Sequence, residues 1–451
     1  MNQIPHQDTP ALPLKQTPPA ISISGMPGMM SGRRGVPLSV PLPFLLTSIC
    51  AAAILGCLLP WSIPEAMLSP GFPHVLALVH TTTLGWLTMA IIGASLQLAP
   101  VIVVAPLRAT RFIRWQYPVY FIGVVLLVSG FWEMRYWLII TGGTLVILAV
   151  IHYVVVLSAT LAHATTRPLT VRFLVASLIY LCIVVSLGLT AALNLQFEFL
   201  GSWFDSLLLT HITLGIIGWL SCTLIGVSYT LVRLFALVHG HVERLGRLIF
   251  LILNGSIVGL ALGFLFSWLP LIIVGWLMLI AAAWVFAYDY TRMLRIRRRK
   301  VLDVTQYHGI ASVISLSLVI PLAMGVFISG WYQPSVLLAL GLMAFIGWLG
   351  QSVIGYLYKI VPFLVWHARY GHEVGRMKVP LMRDLVHERW SWASFWLINI
   401  GLIAAVVTTL LQWIILLQLA TALLGIGLLL TAANVIAIVS HLYRRSHVLA
   451  V

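Results

Sequence analysis

Twelve apolar runs follow one another along this chain, near 41–60, 76–104, 117–132, 137–161, 173–194, 206–232, 248–267, 270–288, 309–330, 335–362, 391–411 and 415–440. A helix needs about 20 apolar residues to cross the hydrocarbon core of a bilayer, and each run is of that order. In lipid every backbone N–H and C=O must be satisfied within the protein, so runs of this length have to be helices. The faintest division is the last, where only Gln412 and Gln418 interrupt 391–440. One span there would leave about 30 apolar residues unplaced. Charge points the same way: 8% of residues are charged and 61% hydrophobic, against roughly 25% charged in a soluble domain. The fold class is therefore an all-α polytopic membrane protein of twelve transmembrane helices, and the lipid bilayer is its first partner.

The 26 Lys+Arg exceed the 11 Asp+Glu by a net charge of +15. In a soluble chain that excess would suggest nucleic acid; here it reports loop charge on the cytoplasmic side, and no nucleic-acid partner is expected. Twelve spans from a cytoplasmic N-terminus put Arg108, Arg111, Arg114, Arg167, Arg172, Arg244, Arg247, the run Arg297 to Lys300, and Arg369 to Arg389 on one side. Lys15, Arg33, Arg34, Arg444 and Arg445 join them, and only Arg135 falls opposite, among Glu65, Glu133, Glu198 and Asp205. Both termini read as cytoplasmic, in a bacterial-type inner membrane. Trp61, Trp132, Trp203, Trp268 and Trp331 fall at outer boundaries as an aromatic belt. Residues 1–38 are Pro-, Gly- and Ser-rich and lack the layout of a cleaved signal peptide. They read as a disordered cytoplasmic tail before a membrane domain at 39–445, with 446–451 as a second tail. Thioethers can hold Cu(I), but Met26, Met29 and Met30 read simply as part of the first tail. The four cysteines form no CxxC and no loop pair, which excludes a disulfide scaffold and a zinc ribbon.

One string recurs. Gly85-Trp86-Leu87 followed by Gly93 reappears as Gly218-Trp219-Leu220 with Gly226, and as Gly347-Trp348-Leu349 with Gly355. Ile92, Ile225 and Ile354 precede the second glycine of each copy. The copies fall on helices 2, 6 and 10, four spans apart, which predicts three pseudo-threefold four-helix units at about 41–161, 173–288 and 309–440. Small residues eight apart share nearly one helix face and let neighbouring backbones approach. A 6+6 transporter plan would instead divide the chain in two.

This architecture resembles the large subunit (subunit I) of the haem-copper oxidase and nitric oxide reductase superfamily. The local match is His80-Thr-Thr-Thr-Leu-Gly-Trp86 running to Gly93-Ala94 and Pro100. It is similar to the second helix of the nitric oxide reductase branch, which supplies an axial ligand to the low-spin haem. The resemblance implies a b-type haem at His80. It covers most of the chain in topology and only this helix in motif. The family also places a copper-binding His on helix 6, an adjacent His pair on helix 7 and an HxH pair on helix 10. Helix 6 here offers His211, while 248–267 and 335–362 contain no His. Copper held as in that family needs about three imidazoles, so no copper and no function as a terminal oxidase are expected. His239-Gly240-His241, the single HxH, reads as a solvated loop.

His80 and His211 precede their GWL strings by five and seven residues, and Met343 precedes Gly347 by four. Imidazole and thioether both ligate haem iron or Cu(I), so the three form the candidate cofactor site, with His80 and His211 as its metal ligands. The bland reading of each His is a bond to a neighbouring carbonyl. His152 reads as a buried imidazole donating to a carbonyl, or a second haem ligand, and His308 as interfacial. Asp289 and Lys359 fall at cytoplasmic helix ends, where snorkelling suffices. The expected function is a haem-binding or redox-linked protein accessory to respiration, in contact with respiratory-chain subunits. A carrier or channel for a small neutral solute is one alternative, and a ligand-free assembly partner of a respiratory complex another.

Overall fold

The computed structural model of the chain describes residues 36–299 and 301–443. The tails at 1–38 and 446–451, with Met26, Met29 and Met30, fall outside these residues except for 36–38. Among the described residues, twelve helices are long and apolar enough to cross a membrane. They are α1 (Pro41–Leu68), α2 (Pro73–Val103), α3 (Thr110–Trp132), α4 (Tyr136–Ala162), α5 (Leu169–Phe197) and α6 (Trp203–Phe235). After them come α7 (Arg244–Leu265), α8 (Leu269–Arg295), α9 (Val304–Ser329), α10 (Pro334–Tyr370), α11 (Glu388–Leu410) and α12 (Ile414–Tyr443). Gln412 and its neighbours do end α11, so the weakly marked break is real.

Most of these helices outrun the apolar stretches that announce them. Hydropathy marks only what lipid requires, whereas a helix continues wherever its polar end finds partners. Thus α8 reaches Arg295 because Asp289 is satisfied inside the protein, and α10 reaches Tyr370, taking His367 into the helix. Asp303 caps α9: its carboxylate accepts from the Thr305 N–H at 3.1 Å, and Gln306 Oε1 accepts from the Asp303 N–H at 3.0 Å.

Helices α2, α6 and α10 are the most enclosed, with 67%, 61% and 61% of their apolar windows buried against 28–56% elsewhere. Each packs on the helix before it and the two after it: α2 on α1, α3 and α4, α6 on α5, α7 and α8, and α10 on α9, α11 and α12. Contacts also join α4 to α5, α8 to α9, and α12 back to α1. The last of these is a close backbone approach, since a Cβ on Gly56 would stand 3.0 Å from the Cα of Gly425. The belt tryptophans Trp61, Trp132, Trp203, Trp268 and Trp331 are exposed at helix ends.

The GWL strings coincide with a backbone feature that sequence does not announce. Each lies in an eight-residue π-helical segment, at Thr81–Thr88, Leu214–Ser221 and Met343–Gly350, with Gly-Trp-Leu at positions five to seven every time. A π turn inserts an extra residue and re-aims the helix face beyond it. The three indoles are buried, at 0%, 3% and 2% exposure for Trp86, Trp219 and Trp348. Trp219 Nε1 donates to Thr88 Oγ1 at 3.0 Å, and Trp348 Nε1 donates to Ser221 Oγ at 2.9 Å. In both cases the acceptor lies two residues after the preceding Trp. The corresponding residue after Trp348 is Gly350, and Trp86 Nε1 has no partner. The Trp86 ring has moved onto that glycine, so a Cβ there would stand 2.6 Å from it.

The glycines also match in their neighbours. A Cβ on Gly93, Gly226 or Gly355 would fall on Phe44, Phe173 or His308 respectively, and one on Gly85, Gly218 or Gly347 would meet Ala51, Tyr180 or Ser315. Those partners lie on α1, α5 and α9, seven residues apart each time.

Candidate functional site

His80 closes the α-helical turn just before the first π segment. Its Nδ1 donates to the carbonyl of Leu76 at 2.8 Å, and its ring stacks on Phe131 of α3, centroids 4.6 Å apart and planes 19° apart. His211 lies on α6, three residues before the second π segment, and its Nδ1 donates to the Val184 carbonyl of α5 at 3.0 Å. Gly188 lies against the His211 ring, where a Cβ would stand 3.0 Å from Cε1. Carbonyls only accept, so in both residues the proton sits on Nδ1 and the lone pair on Nε2. Both imidazoles are half-buried. An imidazole with Nδ1 tied to a carbonyl and Nε2 free is held as a metal-ligating histidine is held. The donor set therefore fits axial ligation of a haem iron.

The Arg135 N–H bonds to the carbonyl of Gly130, which places this residue beside Phe131, the ring under His80. Farther out, His74 Nδ1 meets the Glu65 carboxylate at 2.8 Å and its ring packs 4.3 Å from Trp132. His74 follows no repeat position, and nothing in the sequence singles it out. Met343 opens the third π segment and packs among core side chains.

Among the described residues no three His, Cys, Asp or Glu side chains gather at one point. His367, which the extended α10 carries, stacks on Phe363 with centroids 6.1 Å apart, nineteen residues beyond Trp348.

Several expectations about polar residues need correction. The HxH loop is not solvated throughout: the His241 side chain is 1% exposed and its Nε2 donates to Asp289 Oδ1 at 2.9 Å. Asp289 does not snorkel either. It is fully buried, accepts a second bond from the Tyr229 hydroxyl at 3.1 Å, and has Arg292 Nη1 at 3.7 Å. The Val238–Arg297 bridge and the Arg298 N–H to Leu237 carbonyl bond press the two loops together over this cluster. Similarly, Lys359 pairs with Asp303, which also takes Arg299 at 2.9 Å. Lastly, His308 is not interfacial but fully buried; its Nδ1 donates to Gln351 Oε1, and Gln351 Nε2 donates to Asn399 Oδ1 at 2.7 Å. His152 bonds the Gln116 side chain at 3.2 Å rather than a backbone carbonyl.

Comparison of the chain with protein-family models and with curated proteins gives no match.

Proposed function

We propose that this chain is a haem-binding or redox-linked membrane protein on the plan of the haem-copper oxidase large subunit, without a haem–copper centre and accessory to respiration. In this reading three pseudo-equivalent four-helix units surround α2, α6 and α10. Both termini face the cytoplasm of a bacterial-type cell, as the loop cations favour. The shared register of the π segments and the matched glycine neighbours support the threefold plan.

One observation carries the functional reading: His80 on α2 and His211 on α6 each commit Nδ1 to a backbone carbonyl and keep Nε2 as a free lone pair. Bound there, a b-type haem would supply one-electron transfer. The protein's own part is to fix ring orientation through the Leu76 and Val184 carbonyls, to cover the His80 face with Phe131, and to offer Arg135 for a propionate. The test is the visible and pyridine haemochrome spectrum of protein purified from haem-replete cells. A Soret band that His80→Ala abolishes is the expected result. A colourless wild-type protein overturns the reading, as does a band indifferent to His80→Ala and His211→Ala.

A further inference from the structure

At the end of the bundle that carries the basic loops, α7, α9 and α11 each start on an acid. Glu243 precedes α7, Asp303 caps α9 and Glu388 opens α11. A carboxylate in that place complements the positive end of the helix dipole. Helices α3 and α5 do the opposite. Neither has an acid in its first turn or a side-chain cap, and arginines stand there instead: Arg111 and Arg114 on α3, Arg172 on α5. Arg108 and Arg167 add two more in the turns that lead into these helices, and residues 66–132 and 134–197 contain no Asp or Glu.

The two turns form one surface. The Thr165 N–H and Oγ1 donate to the Val103 carbonyl at 3.0 and 3.1 Å, and Thr166 Oγ1 donates to the Ile102 carbonyl at 3.0 Å. In return the Arg108 N–H donates to Thr160 Oγ1 at 3.0 Å. Arg108, Arg111, Arg114 and Arg167 are all exposed, and none has an ion-pair partner among the described residues. On the other loops of this end, Arg233, Arg299, Lys359 and Arg369 each hold a carboxylate. Beside the unpaired arginines stand two exposed aromatics, Phe112, whose centroid is 5.1 Å from the Arg111 guanidinium, and Trp115. Aromatic rings at the ends of membrane helices sit at headgroup level. Deeper along the same helices, Ile122 and Val125 of α3 and Ile151 and Val155 of α4 are exposed apolar side chains.

We infer that this surface binds an anionic phospholipid, its phosphate held by Arg108, Arg111, Arg114 and Arg167 and its acyl chains lying along α3 and α4. Guanidinium groups present paired N–H donors that match phosphate oxygens, and the N-termini of α3 and α5 add their dipoles. A zwitterionic lipid, neutral overall, gains less from four cations. An acidic protein would meet the charge but not the apolar faces that continue from it. His80 lies towards the opposite end of α2, so the site and its test are independent of haem binding.

The experiment is native mass spectrometry of the full-length protein in neutral detergent, titrated with dioleoyl phosphatidylglycerol or dioleoyl phosphatidylcholine. Phosphatidylglycerol is expected to bind more tightly by about tenfold or more, since each basic residue near a membrane surface is worth about fivefold towards an anionic lipid. By the same measure Arg111→Gln/Arg114→Gln should weaken phosphatidylglycerol about 25-fold. Arg244→Gln/Arg247→Gln removes the same charge from the same end, beside Glu243, and should leave that binding unchanged. Glycerol 3-phosphate, which has the phosphate without the chains, should not displace the lipid at equal concentration. Should the Arg111/Arg114 variant fail to fold, Arg108→Gln/Arg167→Gln takes its place. Equal binding of the two lipids, equal loss in the two double variants, or displacement of the lipid by glycerol 3-phosphate or by polyglutamate each overturn the proposal.

Discussion

The Trp219 indole donates to the Thr88 hydroxyl at 3.0 Å across two helices 131 residues apart in the chain. Trp348 repeats the contact with Ser221 at 2.9 Å. Two of three possible links around the central helices are thus made, and the third is absent for a covalent reason: Gly350 has no side chain. In a bilayer the hydrophobic effect does not drive helices together, so packing and interhelical hydrogen bonds carry more of the association. Buried indoles that fill volume and also bond a neighbour serve both ends.

The asymmetry makes the first prediction. Trp219→Phe and Trp348→Phe each lose a buried bond, worth about 0.6–1.7 kcal/mol between membrane helices. Trp86→Phe loses none and should cost less than either. Gly350→Ser does not complete the ring, because its Cβ would strike the Trp86 indole, and should lower stability. Thermal unfolding in one detergent ranks the four variants, and a Trp86→Phe loss equal to the others would refute the account.

Gly226 supports the second prediction. Phe173 occupies the space where its Cβ would be, so α5 and α6 cannot keep their separation with any larger residue. Gly226→Ala is expected to cost about 1–3 kcal/mol by overpacking, and Gly226→Leu to prevent accumulation of folded protein. Size-exclusion recovery after membrane extraction measures both. Gly325, with open space around it, is the control, and Gly325→Ala should be neutral or stabilising.

The buried His241–Asp289–Tyr229 cluster gives a third. Removing one member of a buried hydrogen-bonded pair costs about 1–3 kcal/mol, and more where a charged group is left, because the other is then unsatisfied. His241→Ala should therefore destabilise more than His239→Ala, whose ring is exposed and bonds only a loop carbonyl. The double variant His241→Ala/Asp289→Ala should cost less than the sum of its parts. Additive losses in a double-mutant cycle would show that the two side chains do not interact.

These cases mark how far the sequence is informative. The spans are legible because lipid demands long apolar runs, and the GWL spacing is legible because a repeated string needs no structure to be seen. That the strings sit in π turns is not legible: Gly, Trp and Leu have no signature for that hydrogen-bond pattern, and only the backbone reveals it. His241 was hidden for another reason. HGHVER has the composition of a solvated loop, and its burial depends on Asp289, some fifty residues later, and on the Val238–Arg297 bridge. His308 was misplaced because it stands at the first turns of its apolar run, where the middle of α10 and Phe395 of α11 cover it. His80 and His211 could be chosen from their place before the repeat, but the carbonyls that fix their tautomers belong to packing.

The last prediction uses the repeat as a guide to substitution. His308 occupies in α9 the place of Phe44 in α1 and Phe173 in α5, each against the second glycine of a GWL string. Gln351, three residues after Trp348, matches Met89 and Cys222. The third copy is thus polar where the first is apolar, and its polarity is held by the chain His308–Gln351–Asn399. His308→Phe alone fits the space but leaves Gln351 Oε1 buried without its donor, at a cost of about 1–3 kcal/mol. Removing all the partners together is far less costly, since apolar groups of similar shape need no hydrogen bonds. His308→Phe/Gln351→Met/Asn399→Leu should therefore unfold at a higher temperature than His308→Phe. If the triple variant is instead the least stable, the network contributes packing that its apolar counterparts cannot replace, and the equivalence of the three glycine contacts fails as a guide to their energetics.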